Sequence, residues 1–463
     1  MLNLRSIIAA ALVVWGSASA VAAQEVGRPL SLEQAVGQAL HRQTDVRIAR
    51  SRARVAEQDL RIATSTLYPT AGLEMGWLRS ADPVAVFGTK LRQNRFTEGD
   101  FDLPTLNDPA AITDWAGGVR VSWDGLNPAV WAGRDAAKSS VSAARWSEVR
   151  TREATVFRTR ILYYRAVQAE AQVDAAEAAE EAARATRERF RRRMEEGLLT
   201  RADLLQSEAE LAAAEAMRMR VEQLRREARL ELGLHLGWSA DSVPRVSLKL
   251  SPPPPDPGAA ESVGPSSVGG VPGARRADLL ALEANVDAAG AMARSQSLGW
   301  VPSLEAFGGY LKHGDAPFSA TGTEWSVGLA LRWQFFDGFR RPAGVSRANA
   351  QLAASRALYE HAQLAARVEV RKALDGVRSA RLAVDASAAA ARASAEGRDL
   401  TRRRFEQGLA SPADLLQAEA RATAMAAQSI DSLTEYHLAI ARLDFALGGR
   451  GSTGDVSAAG GLE

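Results

Sequence analysis

Side chains able to do covalent or metal chemistry are sparse and scattered in this chain. Its five histidines (His41, His235, His313, His361 and His437) are widely separated, and none shows the spacing of metal ligands. No cysteine occurs among the 463 residues, so no disulfide stabilises the protein. The run Gly269-Gly270-Val271-Pro272-Gly273 lies in a proline-rich stretch with no strand–helix unit to make it a phosphate loop, and no nucleophile elbow appears. Adjacent carboxylates such as Glu195-Glu196 fall on a solvated helix end. Catalysis is not expected, and neither is a cofactor or a metal. Two acids in matching contexts remain, Asp203 and Asp414. Such carboxylates can cap helices, at about 1 kcal/mol each. Gathered at a narrow pore mouth, they would instead form a ring favouring cations.

Their contexts match along a long stretch. Arg193-Met194-Glu195-Glu196-Gly197-Leu198-Leu199-Thr200-Arg201-Ala202-Asp203-Leu204-Leu205-Gln206 is answered by Arg404-Phe405-Glu406-Gln407-Gly408-Leu409-Ala410-Ser411-Pro412-Ala413-Asp414-Leu415-Leu416-Gln417. The offset is 211 residues, and it still relates Leu236-Gly237 to Leu447-Gly448. Each copy reads as helix, sharp turn, helix. Gly197 and Gly408 suit the left-handed position just past a helix end. Thr200 and Ser411 suit the N-cap of the next helix, with Asp203 and Asp414 in capping-box position and Pro412 at the first helical residue. The arginines before each glycine (Arg189 to Arg193; Arg402 to Arg404) complement the negative end of the helix dipole and read as solvated ends. Leu198 and Leu409 are apolar residues at an exposed tip, which makes them candidates for contact with another protein.

These tips must be carried by something long. Helices of about 65–69 residues are expected over 128–196 and 342–407, roughly 100 Å each. Alanine-rich seams recur along them: Phe157, Ile161, Tyr164 and Ala171 are answered by Val370, Leu374, Val377 and Val384 at an offset of 213. The return helices are expected over 200–236 and 411–447. Upstream, a helix from Leu30 to Leu67 ends at Tyr68-Pro69, and one from Arg275 to Trp300 ends at Val301-Pro302. The chain is therefore a tandem duplication, 30–237 and 274–448.

Period-two patterning follows each proline, giving hairpins expected over 70–124 and 303–336 with a long polar loop inside the first. Trp115, Val119, Val121 and Trp123 share one face, as do Trp325, Val327, Leu329, Leu331, Trp333 and Phe335. Strands of this length, apolar on one side, suit an outer-membrane barrel, with Trp77, Trp115, Trp123, Tyr310, Trp325 and Trp333 as its aromatic girdle. Four strands cannot close, and an open edge in lipid costs several kcal/mol per unpaired group. A spanning chain must therefore oligomerise. Two copies would make a plugged pore and three a wider one.

At the ends, 1–23 reads as a cleaved export signal, with Arg5 before an apolar run and cleavage after Ala20 or Ala23. Without a cysteine, no lipid anchor is expected. The segment 238–273 is a Pro/Gly-rich linker containing Pro252-Pro253-Pro254-Pro255, and 449–463 is a tail of similar character. A net charge of +2 is too small to suggest nucleic acid.

The signal, the duplicated plan, Phe335-Phe336-Asp337-Gly338 and the two Gly-Leu-x-[Thr/Ser]-x-Ala-Asp-Leu-Leu tips together resemble the TolC-like outer-membrane efflux proteins. The resemblance runs from about Leu30 to Gly448. It implies a mainly α fold in which three protomers share a twelve-stranded β-barrel above a trans-periplasmic α-barrel. It also implies a passive duct for efflux or type I secretion. The partners implied are a periplasmic adaptor, an inner-membrane pump of resistance-nodulation-division or ABC type, and outer-membrane lipid. Under this reading the gate residues are Asp203, Asp414, Gln206, Gln417 and Arg201, and the adaptor meets Gly197, Leu198, Thr200, Gly408, Leu409 and Ser411. The chain departs from the pattern at Ala410, where some members carry an inter-subunit arginine, and at Gln417, where some carry an acid. Arg201 is then the candidate to pair with Asp414. A periplasmic coiled-coil adaptor is the alternative, although it would need one hairpin flanked by soluble β domains. A purely structural envelope protein with a plugged barrel is the third reading.

Overall fold

The computed structural model describes residues 30–239, 246 and 276–449. The export signal, nearly all of the 238–273 segment and the tail beyond Gly449 lie outside the described residues. In chain order the elements are α1 (Leu32–Arg42), α2 (Thr44–Ser65), β1 (Thr70–Ser80), α3 (Pro83–Arg92), a 3-10 turn (Glu98–Phe101), α4 (Leu103–Asn107) and β2 (Ile112–Trp123). Then come α5 (Pro128–Glu195), α6 (Arg201–His235), α7 (Ala277–Leu298), β3 (Ser303–Gly314), β4 (Gly322–Arg332), α8 (Arg340–Glu406) and α9 (Pro412–Ala446). No described helix is long and apolar enough to cross a membrane. Two compact units cut across the repeats: one is Ser51–Trp146 with Asp278–His361, the other Met1–Arg50, Ser147–Ala277 and Ala362–Glu463.

The first unit is built on an antiparallel sheet in the order β1-β2-β3-β4. Its ladder is staggered. Thr70 is level with Ser122, Phe307 and Gly328, yet β4 continues four residues further to Arg332. Such a shift of register from strand to strand is what a tilted, closing barrel requires. Apolar residues stand in the open, with Leu73 82% and Val327 81% exposed. The other face carries polar contacts such as the Arg120–Glu74 ion pair at 2.9 Å. Phe307 breaks the polar alternation because its ring covers Gly328, where a Cβ would lie 2.5 Å from the ring.

Two expectations change in this unit. The second hairpin stops at Arg332, so Trp333 and Phe335 fall beyond the strand. Ser303 is the last partner β3 offers, and Pro302 before it has no N–H to extend the ladder. The long polar loop is also structured. α3 is capped by Asp82, whose carboxylate accepts from Ala85 N, and Phe87, Phe96 and Phe101 stack edge to face. Lys90 reaches Asp100 at 2.6 Å and holds that carboxyl at a pKa of about 2. Beyond α3, the buried Gln93 amide meets Thr113 O, Asp114 Oδ1 and Gly314 O at 2.9–3.0 Å, which pins the loop to the strand ends. His313 is buried there against Asp114, at 2.9 Å.

In the second unit, α5 packs against α6 through Val173, Ala176 and Val221, with Arg229 and Arg218 reaching Glu170 and Glu180. α5 also lies along α9, where Phe157 stacks on Phe445 at 4.7 Å and Gln168 and Gln172 share Asp431. α9 in turn packs on α8 through Val370, Leu374, Val377 and Val384 against Tyr436, Ala439 and Leu443. Four of the residues assigned from spacing to the second seam thus form one core.

The single helix expected from Leu30 to Leu67 is two helices, because Gln43 adopts an extended backbone (φ −63°, ψ 128°). Its side chain is bound to His235. The Gln43 amide donates to Nδ1 at 2.7 Å. The Thr159 hydroxyl gives its proton to Thr155 O and so accepts from His235 Nε2–H at 2.9 Å. The imidazole is therefore neutral, and burial first, then Arg158, holds its pKa below the ordinary histidine value. An unfolded chain takes up this proton near pH 6.5 and the native chain only at lower pH. His235 thus contributes stability above pH 6.5 that is lost as pH falls towards the native value. We expect the melting temperature to drop as pH falls below about 6.5, and His235→Gln to flatten that dependence. An equal slope in both proteins would remove His235 from this role.

Candidate functional site at the hairpin tips

Both tips are built by the same local rules. α5 and α8 end in a glycine of positive φ, 76° at Gly197 and 74° at Gly408. Leu198 N then bonds back to Arg193 O, and Leu409 N to Arg404 O, both at 2.8 Å. This closure turns the chain within three residues and leaves its apolar residues outward: Leu198 is 66% and Leu409 64% exposed.

The returning helices open on complete capping boxes. Thr200 N and Oγ1 donate to Asp203 Oδ2 at 2.9 and 2.6 Å, and Asp203 N donates to Thr200 Oγ1 at 3.3 Å. Ser411 and Asp414 repeat the arrangement at 2.9, 2.7 and 3.2 Å. Hydrogen bonds from the Thr200 and Ser411 side chains, then from their backbones, hold both carboxyls below the ordinary aspartate value. Each tip therefore presents a fixed, ionised carboxylate near the protein surface. Gln206, Gln417 and Arg201 are exposed beside them. Arg201 and Asp414 make no ion pair within the chain, where Asp414 is engaged by Ser411.

Between the tips lies a small core absent from the sequence reading. Phe190, Phe405 and Leu415 are essentially fully buried, with Leu416 beside them and Leu199, Leu204 and Ala410 at its margin. Phe190 and Phe405 stack at 5.2 Å. Arg193 is not a solvated helix end. Its guanidinium lies over the Phe405 ring and donates to Phe405 O and Glu406 O at 2.8 and 2.6 Å, closing the last turn of α8. Farther along α5, Thr186 donates to Glu419 at 2.7 Å, and burial pushes that carboxyl up. The available signal was asymmetry: Phe190 and Phe405 have no aromatic counterpart at an offset of 211.

The aromatic candidates lie in the sheet unit. Trp77 and Trp115 face each other across β1 and β2, with ring centres 6.4 Å apart, and Tyr310 pairs with Trp325 across β3 and β4. The Trp123 indole is partly committed inward, donating to Leu67 O at 2.8 Å.

A duplicated helical hairpin joined to half-apolar antiparallel strands is the arrangement that the family comparison matches. The model described as outer membrane efflux protein covers residues 35–237 and 273–449. The chain belongs to the outer membrane efflux protein family. This family is one of channels, so the protein is an outer-membrane channel component of an efflux system, and the adaptor alternative finds no support. The fold is shared with solved channels. A membrane protein from Pseudomonas aeruginosa is 22% identical over 90% of both chains, with a TM-score of 0.77. The Campylobacter jejuni outer membrane channel CmeC is 17% identical over 90% of this chain and 85% of that one, also at 0.77. The Vibrio cholerae outer membrane protein VceC is 18% identical over 90% and 96%, at 0.75. No curated protein sequence matches.

Because the tip carboxylates are held ionised, the efflux protein's caps should persist above about pH 4 and loosen only below it. Amide exchange at Asp203 and Asp414 should report this. Thr200→Ala should accelerate exchange at Asp203 about fivefold, equivalent to roughly 1 kcal/mol.

Proposed function

We propose that three copies of this chain close one β-barrel in the outer membrane and one ring of helices beneath it. The result is a passive duct that receives cargo from an inner-membrane pump, of resistance-nodulation-division or ABC type, through a periplasmic adaptor. The observation that carries this reading is the sheet: four staggered strands, two edges open, and an apolar face exposed on a chain of an efflux-channel family. Backbone groups at β1 and β4 can be satisfied in lipid only by further strands. Trp77, Trp115, Trp123, Tyr310 and Trp325 supply the girdle, with Trp333 just past β4.

The gate lies at the tips. Asp203 and Asp414, held ionised, ring the periplasmic opening and favour cations, with Gln206 and Gln417 one turn on. Arg201 of one copy pairs with Asp414 of the next. Gly197, Leu198, Thr200, Gly408, Leu409 and Ser411 form the adaptor surface. The duct itself performs no catalysis.

Three measurements test this. The protein should fractionate with outer membranes as a heat-sensitive trimer and conduct in planar bilayers. Recovery as a soluble periplasmic monomer would end the reading. Asp414→Asn keeps the cap geometry but removes the charge, and should lower single-channel cation selectivity several-fold. Unchanged selectivity would leave Asp414 a cap alone. Leu198→Asp with Leu409→Asp should abolish copurification of adaptor and pump while leaving the trimer and its conductance intact.

A further inference from the structure

The internal duplication provides a template for a contact that one chain cannot make with itself. Within the chain, Arg193 of the first repeat closes the final turn of α8 through Phe405 O and Glu406 O. At the offset of 211 that relates the two helix ends, Glu195 and Glu406, the counterpart of Arg193 is Arg404, and the counterparts of its acceptors are Met194 O and Glu195 O. Yet Arg404 is exposed; it donates to Leu409 O of its own turn at 3.4 Å and its charge acts on Asp414, but it closes no helix end within the chain. Among the described residues, Met194 O receives Gly197 N alone and Glu195 O receives no donor. The first repeat thus has the helix end that an arginine should close, and the second repeat has the arginine.

The apolar residues show the same asymmetry. Leu416 is 6% exposed against Phe190 and Phe405, whereas its counterpart Leu205 is 53% exposed. α5 and α9, which pack on each other, leave almost no large apolar side chain exposed in this unit, Val149 being the exception. α6 and α8, which flank that pair, leave many, among them Met219 and Leu234 on α6 and Val368, Leu382 and Leu400 on α8. What covers the outer side of α8 in the first repeat's place should be an α6, and only a second copy supplies it.

We propose that Arg404 closes the last turn of α5 in a second copy of this chain, donating to its Met194 and Glu195 carbonyls as Arg193 does to Phe405 and Glu406 within one copy. This contact joins α8 of one copy to the α5–α6 turn of the next, and it rests on the trimeric reading proposed above. The ring of tips then alternates two arginine clasps, one inside each protomer and one between protomers. The inter-protomer clasp lacks the aromatic stack beneath it, since Met194 stands where Phe405 does and Thr401 where Phe190 does. It is the weaker of the two, and the place where the ring would part first.

The absence of native cysteine permits a direct test. Met194→Cys with Thr401→Cys mimics the Phe190–Phe405 neighbourhood between copies and leaves both arginines in place. A short bismaleimide should convert the detergent-solubilised oligomer into covalent dimers and trimers on denaturing gels. Adding Arg404→Ala should reduce that product several-fold, whereas adding Arg402→Ala, whose side chain pairs with Asp399, should not. In the protein without cysteines, Arg404→Ala should also speed amide exchange at Gly197 and Leu198, which needs no labelling. A trimer by native mass that gives no inter-chain product, or equal effects of the two alanine variants, would overturn the clasp alone. A monomer by native mass would overturn the trimeric reading and the clasp together.

Discussion

A backbone amide in hydrocarbon must have a partner, and the described residues bring four strands to satisfy that rule. β1 and β4 are each paired on one side, and the leucines and valines between them face outward, where water would oppose them and lipid would not. Both defects are repaired by the same event, addition of more strands of the same kind. The four-residue stagger already present in the ladder tilts the strands towards such closure. Within the sheet, Phe307 over Gly328 and the Glu74–Arg120 pair occupy the side that turns away from lipid.

The helical unit repeats this incompleteness in a different medium. α5 and α9 are well covered in this unit, while α6 and α8 carry exposed apolar side chains. Such surface is normally buried by another subunit. The two repeats have diverged where their surroundings differ. The contact made inside one chain has acquired Phe190, Phe405 and buried Leu415, whereas the equivalent places elsewhere hold Thr401, Met194 and Leu204. A stacked aromatic core, Phe190 on Phe405, therefore fixes the joint made inside one chain.

Buried polar networks complete each unit. Gln93 draws the folded loop after β1 onto the strand ends through three acceptors, and Gly322 is needed because a Cβ there would lie 1.7 Å from Arg92 O. Gln43 and His235 do comparable work where α1 meets α2, trading the helical regularity of Gln43 for a satisfied chain of hydrogen bonds.

Local rules were legible in the residues themselves. Glycine past a helix end, Thr or Ser with Asp three positions on, and proline before a strand act within a few residues, so both tips, both long helices and the duplication could be read directly. Period-two patterning also marked the strands, although it ran on to Phe335 because alternation records facing and not pairing. Pairing was decided by β3, which starts at Ser303, just after Pro302. Tertiary structure alone decided the break at Gln43, the folding of the 81–111 loop, the stagger of the ladder and the reach of Arg193 across to α8. Each depends on partners some 20 to more than 200 residues away (Gln93 on Asp114, Gln43 on His235, Arg193 on Phe405), and no local preference encodes which distant atom a side chain will find.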